Sequence, residues 1–419
     1  MSKNIKCAIP KWRFESFDSY PKWDIKKLGC LMEPIKERAG DKKYVLMSVT
    51  SGVGLIPQVE KFGREIAGNS YKNYYVIRKN DFAYNKSSTK EFPEGYISML
   101  KEYEEAAIPN SIFTCFRIID DEYEPLFFDQ LFNTNYHGKW LRKYIEIGAR
   151  AHGALSIDTK HLWNMPVAVP KLPEQQKIAN CLSAIDDFIS AEEKKLSLLS
   201  DYKKGWMQKL FPAEGKTVPE WRFPEFRDSG GWEENSLKKV LIKNSMKNKN
   251  QKYSLIESIS NKFGFVRQDK YFENRRVASK NTSNYYVIKK GYFAYNPSRI
   301  DVGSLAYKYD DRTSIISPLY VSFKANNDVI DDIFLWMFFN SISFTKQMIF
   351  EGGVRNTLNY ENLIQIKIFL PNLPEQQKIA GFLSGIDDLI NKQTGKIEML
   401  KQHKKALMQG LFPAVEDVL

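Results

Sequence analysis

The feature that most constrains the fold of this chain is an internal duplication. Residues 172–212 read LPEQQKIANCLSAIDDFISAEEKKLSLLSDYKKGWMQKLFP, and residues 373–413 read LPEQQKIAGFLSGIDDLINKQTGKIEMLKQHKKALMQGLFP. The two segments align without a gap, and more than half of the positions are identical. A repeat of this length indicates two similar structural units, so the chain is predicted to consist of two halves that are built alike.

The segments that precede each copy also resemble each other. Residues 74–85 read YYVIRKNDFAYN and residues 285–296 read YYVIKKGYFAYN, while Trp12-Arg13-Phe14 recurs at residues 221–223. The β-branched and aromatic runs favour strands that are joined by a polar turn. Residues 1–11 would supply after Pro413 the same connection that residues 213–220 make after Pro212. We therefore expect the two termini to lie close together and a pseudo-two-fold axis to relate the halves.

The two repeated segments are predicted to be long helices. A proline stands in the first turn of each, where a helix tolerates it, and another marks each end. Apolar residues recur at the three- and four-residue spacing of a coiled coil, so the helices are expected to pair antiparallel. Glu192 and Gln393 interrupt this pattern near the middle of their helices. They either meet and fix the register of the pair or turn outward to the solvent.

The predicted fold class is therefore α+β, with two globular domains separated by two long helices that form an antiparallel coiled coil. The predicted segments are a first globular domain at 1–171, a helix at 172–212, a second globular domain at 213–372, a helix at 373–413 and a C-terminal tail at 414–419.

Composition narrows the possible partners without deciding between them. Lys and Arg number 62 against 50 Asp and Glu, and the formal net charge of +12 favours nucleic acid but also fits an anionic membrane surface. The four cysteines form no C-x-x-C pair, which argues against a zinc cluster and a disulfide framework. No signal peptide is visible, and the longest apolar run, Ile333–Phe339, is too short to span a bilayer. We expect a soluble, cytoplasmic protein that binds no metal.

The sequence offers no motif for catalysis. It contains no phosphate-binding G-x-x-x-x-G-K-[ST] loop and no H-x-x-x-H pair. Asn296-Pro297-Ser298-Arg299 comes nearest to an adenine-methyltransferase tetrapeptide, but it lacks the aromatic residue that would stack on a flipped base. A catalytic motif in a duplicated chain would be expected twice. We therefore expect no catalytic residue and no cofactor bound by this chain.

The polar loops differ between the halves while the strand-like runs match. Two readers of different base sequences would need such a pattern, because Arg and Asn discriminate base edges whereas Lys, Arg, Ser and Thr hold phosphates. The alternative for each residue is an ordinary solvated side chain. The candidates for DNA contact are Thr50, Ser51, Lys86, Ser87, Lys90, Arg150 and His152 in the first half, and Arg267, Arg275, Arg276, Asn296, Arg299, Arg355 and Asn356 in the second.

The repeated LPEQQKIA, the Ile-Asp-Asp step and the Met-Gln-x-Leu-Phe-Pro ending closely resemble type I restriction–modification specificity subunits. The resemblance covers nearly the whole chain. It implies that each globular domain is a target-recognition domain that reads one half of a split, asymmetric DNA sequence, and that the helices set the unread spacer. The first half has Gly148-Ala149-Arg150-Ala151 where the second has Gly353-Val354-Arg355-Asn356. This difference puts a shared role for Asn356 in doubt.

The resemblance also implies the partners. Two methyltransferase subunits would dock on this chain and use S-adenosylmethionine, and restriction subunits that use ATP and Mg²⁺ would join them. Two other functions stay open from the sequence. A stand-alone methyltransferase or nuclease would bind S-adenosylmethionine or cleave DNA with Mg²⁺, and a pure interaction scaffold would bind DNA weakly and without regard to its sequence.

Overall fold

The computed structural model describes residues 7–67, 69–145, 155, 157–271, 281–348 and 357–418. The chain divides into two compact units. Unit 1 comprises Met1–Lys194 and Thr394–Leu419, and unit 2 comprises Lys195–Gln393. Both units mix helices with short strands, which confirms the predicted α+β class. Within the described ranges, no helix combines the length and the apolar character needed to cross a lipid bilayer.

Short strands and helices precede the first long helix. The strands are β1 Cys7–Ala8, β2 Trp23–Lys27, β3 Met32–Pro34, β4 Met47–Thr50, β5 Gly54–Pro57, β6 Tyr75–Arg78, β7 Phe82–Asn85, β8 Tyr96–Met99, β9 Glu105–Ile108, β10 Phe113–Ile118 and β11 Pro166–Val169. The helices are α1 Gln58–Phe62, α2 Pro125–Asn133, α3 Tyr136–Leu141, α4 Thr159–Trp163 and the long α5 Leu172–Leu210.

The remaining elements repeat this order. The strands are β12 Glu233–Ser236, β13 Leu241–Lys243, β14 Glu257–Ser260, β15 Gly264–Arg267, β16 Tyr286–Ile288, β17 Tyr292–Tyr295, β18 Leu305–Tyr307, β19 Ser314–Ile316, β20 Val321–Ala325 and β21 Lys367–Leu370. The helices are α6 Leu237–Val240, α7 Gln268–Tyr271, α8 Asp332–Phe339, α9 Ile342–Gln347, α10 Tyr360–Leu363, the long α11 Leu373–Leu411 and α12 Val415–Val418.

The same antiparallel sheet is built once in each unit. Its strand order is β3-β10-β7-β8 in unit 1 and β13-β20-β17-β18 in unit 2. Each unit also has a hairpin, β4–β5 or β14–β15, and a further strand pair, β6–β9 or β16–β19. The strands predicted from Tyr-Tyr-Val-Ile and Phe-Ala-Tyr-Asn are therefore present, but they pair with other strands and not with each other. The shared topology confirms the internal duplication.

The four-stranded sheet of unit 1 is buried on both faces. Phe82 and Tyr84 of β7 pack into one apolar cluster, whereas Ala83 between them packs into another. This division follows from the strand geometry, because alternate side chains point to opposite faces. Phe82 stacks on Phe116 of the neighbouring strand with ring centroids 5.6 Å apart. A sheet held between two cores gives the loops at its ends a rigid base.

The two described ends of the chain meet in unit 1. The backbone N–H of Trp12 donates to the carbonyl of Gly410 over 2.8 Å, and Ala8 shares an apolar cluster with Val415 and Val418. In unit 2, where the chain is continuous, the N–H of Trp221 donates in the same way to Lys209 over 3.0 Å. The expected closeness of the ends is confirmed for the described part, since hydrogen bonding and packing replace the peptide connection.

Ion pairs show how the long helices pair. In unit 1, Lys404 contacts Asp186 at 2.7 Å and Lys396 contacts Glu192 at 2.6 Å. In unit 2, Lys203 contacts Asp387 at 2.6 Å. Within unit 1 the residue numbers rise on α5 as they fall on α11, so the pairing is antiparallel as predicted. Both helices end earlier than predicted, at Leu210 and Leu411, because a residue directly before a proline disfavours the helical conformation.

Candidate nucleic-acid interface

The loop that follows the Phe-Ala-Tyr-Asn strand has the same local structure in both units. The Asn85 side-chain oxygen accepts a hydrogen bond from the N–H of Ser87 over 3.0 Å, and that of Asn296 accepts one from the N–H of Ser298 over 3.1 Å. Such a local bond turns the chain out of the sheet. The Asn85 amide also donates to the carbonyl of Val49, so Asn85 acts here as a structural residue. Asn296 makes the corresponding turn and is half-buried.

A second segment joins this loop in each unit. The N–H of Leu155 donates to the carbonyl of Lys86 over 2.8 Å, and the N–H of Leu358 donates to the carbonyl of Pro297 over 3.1 Å. Leu155 and Leu358 therefore occupy corresponding positions in the two units. The backbone frame is shared, while the side chains that it carries differ between units.

The β4–β5 hairpin carries two further candidates. Thr50 forms the last strand pair with Gly54, and Ser51 opens the turn. The hydroxyl oxygens of both side chains are buried and have no hydrogen-bond partner among the described residues. Leaving a buried polar group unsatisfied costs about 1–3 kcal/mol. Because neither oxygen is exposed, a direct contact of these hydroxyls with DNA would require the turn to rearrange.

The candidate cations fall into two groups. Lys90 and Arg299 are exposed and Lys86 is half-buried, and within the described ranges none of the three forms an ion pair. Arg267 instead contacts Asp269 at 2.6 Å, and this hydrogen bond raises the pKa of its guanidinium. A phosphate could bind the first three directly, whereas it would have to compete with Asp269 for Arg267. The candidates that lie outside the described residues are Arg150, His152, Arg275, Arg276, Arg355 and Asn356.

Comparison with known protein families shows what this duplicated frame is. The family described as the type I restriction modification DNA specificity domain matches residues 30–200 and again residues 230–402. The chain belongs to this family. The two matches cover most of the chain, and each spans a globular segment and most of the long helix that follows it, so the specificity subunit contains one family domain for each half.

Individual relatives of this chain agree with the family match. The type I restriction enzyme MjaVIII specificity subunit of Methanocaldococcus jannaschii is 28% identical over 297 residues, which are 66% of this chain and 68% of the relative. A putative MjaX specificity subunit of the same organism is 25% identical over 305 residues, 66% of this chain and 65% of the relative. The match to the DNA specificity domain makes this chain a specificity component of a type I restriction–modification system and not one of its catalytic components, and the names of both relatives agree with this.

Two solved structures share the fold. The crystal structure of a type I S subunit from M. genitalium aligns with a TM-score of 0.59 at 13% identity and covers 97% of this chain and 99% of that one. A chain from a study of complex assembly and conformational transition of the type I restriction–modification system aligns with a TM-score of 0.50 at 16% identity, covering 94% and 98%. At these identities the likeness concerns the fold alone.

The repeated Trp-Arg-Phe and Leu-Pro-Glu-Gln-Gln motifs bind each other in the specificity subunit. The guanidinium of Arg13 donates two hydrogen bonds to Glu174, at 2.8 and 2.7 Å, and that of Arg222 donates two to Glu375, at 2.7 and 2.6 Å. Both glutamates are buried at the start of a long helix. The sequence alone did not reveal the arginine partners of these glutamates. The sequence contained a signal for this pairing, because both motifs occur twice.

The following glutamine anchors each long helix to its unit. Gln175 accepts a bond from the N–H of Glu124 and donates to the carbonyls of Glu122 and Pro170. Gln376 makes the equivalent bonds to Asp331, Val329 and Pro371. The start of each long helix is therefore fixed to the globular part of its own unit by its motif.

The two polar residues that interrupt the heptad pattern do not face the solvent. Glu192 is 8% exposed and Gln393 is 6% exposed. The Nζ of Lys396 donates to Glu192 over 2.6 Å inside unit 1. One partner of Glu192 is thus a lysine, Lys396, that the heptad pattern did not identify. The role of Glu192 and Gln393 in fixing the register stays a prediction.

Proposed function

We propose that this specificity subunit reads a two-part, asymmetric DNA sequence, with the predicted recognition domains at 1–171 and 213–372 each reading one part. The observation that carries this proposal is the shared loop frame with different side chains. The turns at Asn85 and Asn296 have equivalent backbone hydrogen bonds, yet Lys86 stands in one unit where Pro297 stands in the other. Different side chains on one frame would read different bases at equivalent places.

Exchange of a recognition domain tests this proposal. Replacing residues 13–171 with the corresponding segment of a relative should change one half of the methylated sequence and leave the other half and the spacer unchanged. Sequencing of methylated DNA from cells that carry the complete system measures all three. A change in both halves at once would contradict the division of labour between the two domains.

Among the candidate DNA contacts, Arg299 is exposed and forms no ion pair with the other described residues. If it contacts a guanine, Arg299→Ala should lower affinity by about 1–3 kcal/mol and relax selection at one base pair only. Arg227→Ala is a suitable control, because Arg227 is exposed on another segment of unit 2. An equal loss on random DNA would instead indicate a phosphate contact, with a shallower dependence of binding on salt.

The proposed role of the long helices is to set the length of the unread spacer. Each has 39 residues, which corresponds to roughly 58 Å at the rise of an α-helix. The separation of two rigidly joined readers determines the spacing of their half-sites. Insertion of one heptad into both helices should therefore lengthen the spacer in the methylated sequence. An unchanged spacer would contradict this role.

The proposed partners are two methyltransferase subunits, which supply S-adenosylmethionine chemistry, and restriction subunits that use ATP and Mg²⁺. Apolar side chains are exposed at corresponding positions of the two helices. In unit 1 these are Phe188 and Met399, at 45% and 65% exposure, and in unit 2 they are Leu389 and Leu198, at 52% and 61%. Equivalent apolar positions in both units suit two copies of one partner. Because the proposed substrate is DNA, the proposed location of the protein is the cytoplasm.

Polar substitutions on the helices test the docking of the partners. Phe188→Ser or Leu389→Ser alone should reduce the complex from two methyltransferase subunits to one, and the double variant should bind none, as measured by mass under native conditions. Ile342→Ser provides a control, because Ile342 is 69% exposed on α9. Two subunits retained by the double variant would exclude these positions from the docking surface.

A further inference from the structure

The β4–β5 and β14–β15 hairpins have equivalent turns. Their last strand pairs are Thr50 with Gly54 and Ser260 with Gly264, so three residues form each turn. The glycine that closes each turn has a positive φ, +122° for Gly54 and +64° for Gly264, which other residues rarely adopt. The turns read Ser-Gly-Val in unit 1 and Asn-Lys-Phe in unit 2. The length of the turn and its closing glycine are thus shared by the two repeats, while the turn sequences have diverged.

The third turn residue is a large apolar side chain in both hairpins, and in both it is exposed. Val53 is 68% exposed and Phe263 is 64% exposed. A single exposed apolar residue is ordinary on a protein surface and needs no explanation. Two of them at the same structural position, in turns that otherwise share no residue, indicate a common requirement. That requirement is not stability, because an exposed side chain gains little from burial.

Each turn lies against the loop that carries the candidate DNA contacts of its unit. In unit 2, the side-chain amide of Asn261 donates to the carbonyl of Val302, and Val302 donates its own N–H to the carbonyl of Arg299. In unit 1, Gly52 lies so close to the ring of Phe92 that an added β-carbon would be 3.2 Å from it. Phe92 belongs to the loop that contains Lys90. Each apolar tip therefore belongs to a turn that contacts the loop with the candidate basic residues of its unit.

Lysine also stands within the second turn. The Nζ of Lys262 lies 5.3 Å from the centre of the Phe263 ring, and Lys262 forms no ion pair within the described ranges. A protruding apolar group beside a cation that forms no ion pair, as at Phe263, complements a duplex groove, in which phosphates flank the base edges. The apolar group on a base edge in the major groove is the 5-methyl group of thymine, and valine and phenylalanine contact it through apolar atoms alone.

We infer that Val53 and Phe263 each contact the 5-methyl group of a thymine in the major groove, one in each half of the target. This inference rests on the proposed function and adds to it two residues that the sequence did not single out. The two tips would read one A·T pair in each half-site. Phe263 has the longer side chain and so reaches further from its hairpin than Val53 does.

The experiment removes the 5-methyl group of thymine from the DNA and, separately, the apolar side chain that contacts it from the protein. The complete complex is given duplexes of its target in which each thymine is replaced singly by deoxyuridine. One replacement in the half read by unit 2 should weaken binding by roughly fourfold, the effect of one methyl group. That replacement should have no effect on the Phe263→Ala complex. Val53→Ala should behave in the same way for one thymine of the other half.

Controls separate the failure of this inference from that of the proposed function. Ile342→Ala in unit 2 and Ile119→Ala in unit 1 remove exposed apolar side chains on other elements and should leave the response to deoxyuridine intact. Phe263→Ala should keep the dependence of binding on salt, whereas Lys262→Ala should lower its slope by about one. If deoxyuridine has no effect anywhere while other base changes abolish binding, the inference is wrong and the proposed function stands. If no base change matters, the proposed function itself fails.

A last outcome concerns proteins. Loss of methyltransferase binding by Phe263→Ala, with DNA recognition of the remaining complex unchanged, would assign the hairpin tips to partner docking and overturn the inference.

Discussion

Lys308 and Glu257 form an ion pair in the interior of unit 2, with Nζ and Oε2 2.6 Å apart and each side chain 1% exposed. The hydroxyl of Ser314 donates to the same carboxylate oxygen. Asp310 contacts Lys308 from the surface at 3.2 Å. The pair lies beneath the β14–β15 hairpin, since Glu257 is the first residue of β14.

Unit 1 has apolar residues in these places. The strand registers show the correspondence. Glu257 and Met47 are the first residues of the β14–β15 and β4–β5 hairpins. The backbones of Lys308 and Leu100 bond to the turns that precede β17 and β7. Ser314 corresponds in this way to Ala106. Met47, Leu100 and Ala106 belong to one buried apolar cluster. The same frame is therefore compatible with a charged triad or an apolar one.

Removing one partner of the pair should destabilise unit 2 strongly, whereas removing the whole triad should not. Lys308→Leu alone leaves the buried Glu257 carboxylate without its cation and should cost about 3–5 kcal/mol of unfolding free energy, and Glu257→Met should cost less because Asp310 still contacts Lys308. The triple variant Glu257→Met, Lys308→Leu, Ser314→Ala should be as stable as the native chain or more so. Urea unfolding measures both. If the triple variant were less stable than either single variant, the residues around the triad would require its charged and polar groups.

Gly410→Ala should destabilise unit 1 although it lies in a helix. A β-carbon at Gly410 would overlap the indole ring of Trp12, whose backbone N–H also bonds to Gly410. Overpacking of this kind costs about 1–3 kcal/mol. Gly395→Ala in the same helix has open space around the new methyl group and should stabilise it by about 0.5–1 kcal/mol. Thermal unfolding of the two variants should therefore shift in opposite directions.

Arg222→Lys should lower the stability of unit 2 even though the charge is retained. The two parallel hydrogen bonds to Glu375 require a guanidinium, and one ammonium cannot replace them. Arg222→Ala should cost about 3–5 kcal/mol, because Glu375 is buried. The exposed pair Lys367–Glu234 gives the comparison, and Lys367→Met should cost at most about 1 kcal/mol. Equal losses for Arg222→Ala and Lys367→Met in urea unfolding would contradict the assignment.

Unit 1 should lose stability at mildly acidic pH through His137. Burial lowers the pKa of this imidazole to about 4, below the value of about 6.5 expected in an unfolded chain. Between these values the unfolded state binds more protons, so stability falls as the pH falls from 6.5 through 4. A decrease of about 2 kcal/mol is expected between pH 7 and pH 5. His137→Gln should reduce this decrease, and an unchanged pH profile would show that other groups cause it.

The sequence determined the elements that depend on local chemistry and on repetition. The long helices follow from prolines at their ends and from apolar spacing, and the strands follow from the Tyr-Tyr-Val-Ile and Phe-Ala-Tyr-Asn runs. The duplication was visible because the two copies share more than half of their residues. Each of these signals lies within a few residues of the atoms that it orders, so no tertiary information is needed to detect it.

Only the tertiary structure decided which distant residues meet. Arg13 contacts Glu174 and Lys396 contacts Glu192, and the sequence did not reveal either pair because each depends on the packing of elements that are distant in the chain and not on local spacing. The structures of both units were likewise needed to see that the Lys308 triad corresponds to an apolar triad and that Val53 corresponds to Phe263. The residues themselves differ between the units, so their sequences do not reveal it. Chain chemistry fixes what a segment can form, and packing fixes which of its side chains become buried, paired or available to DNA.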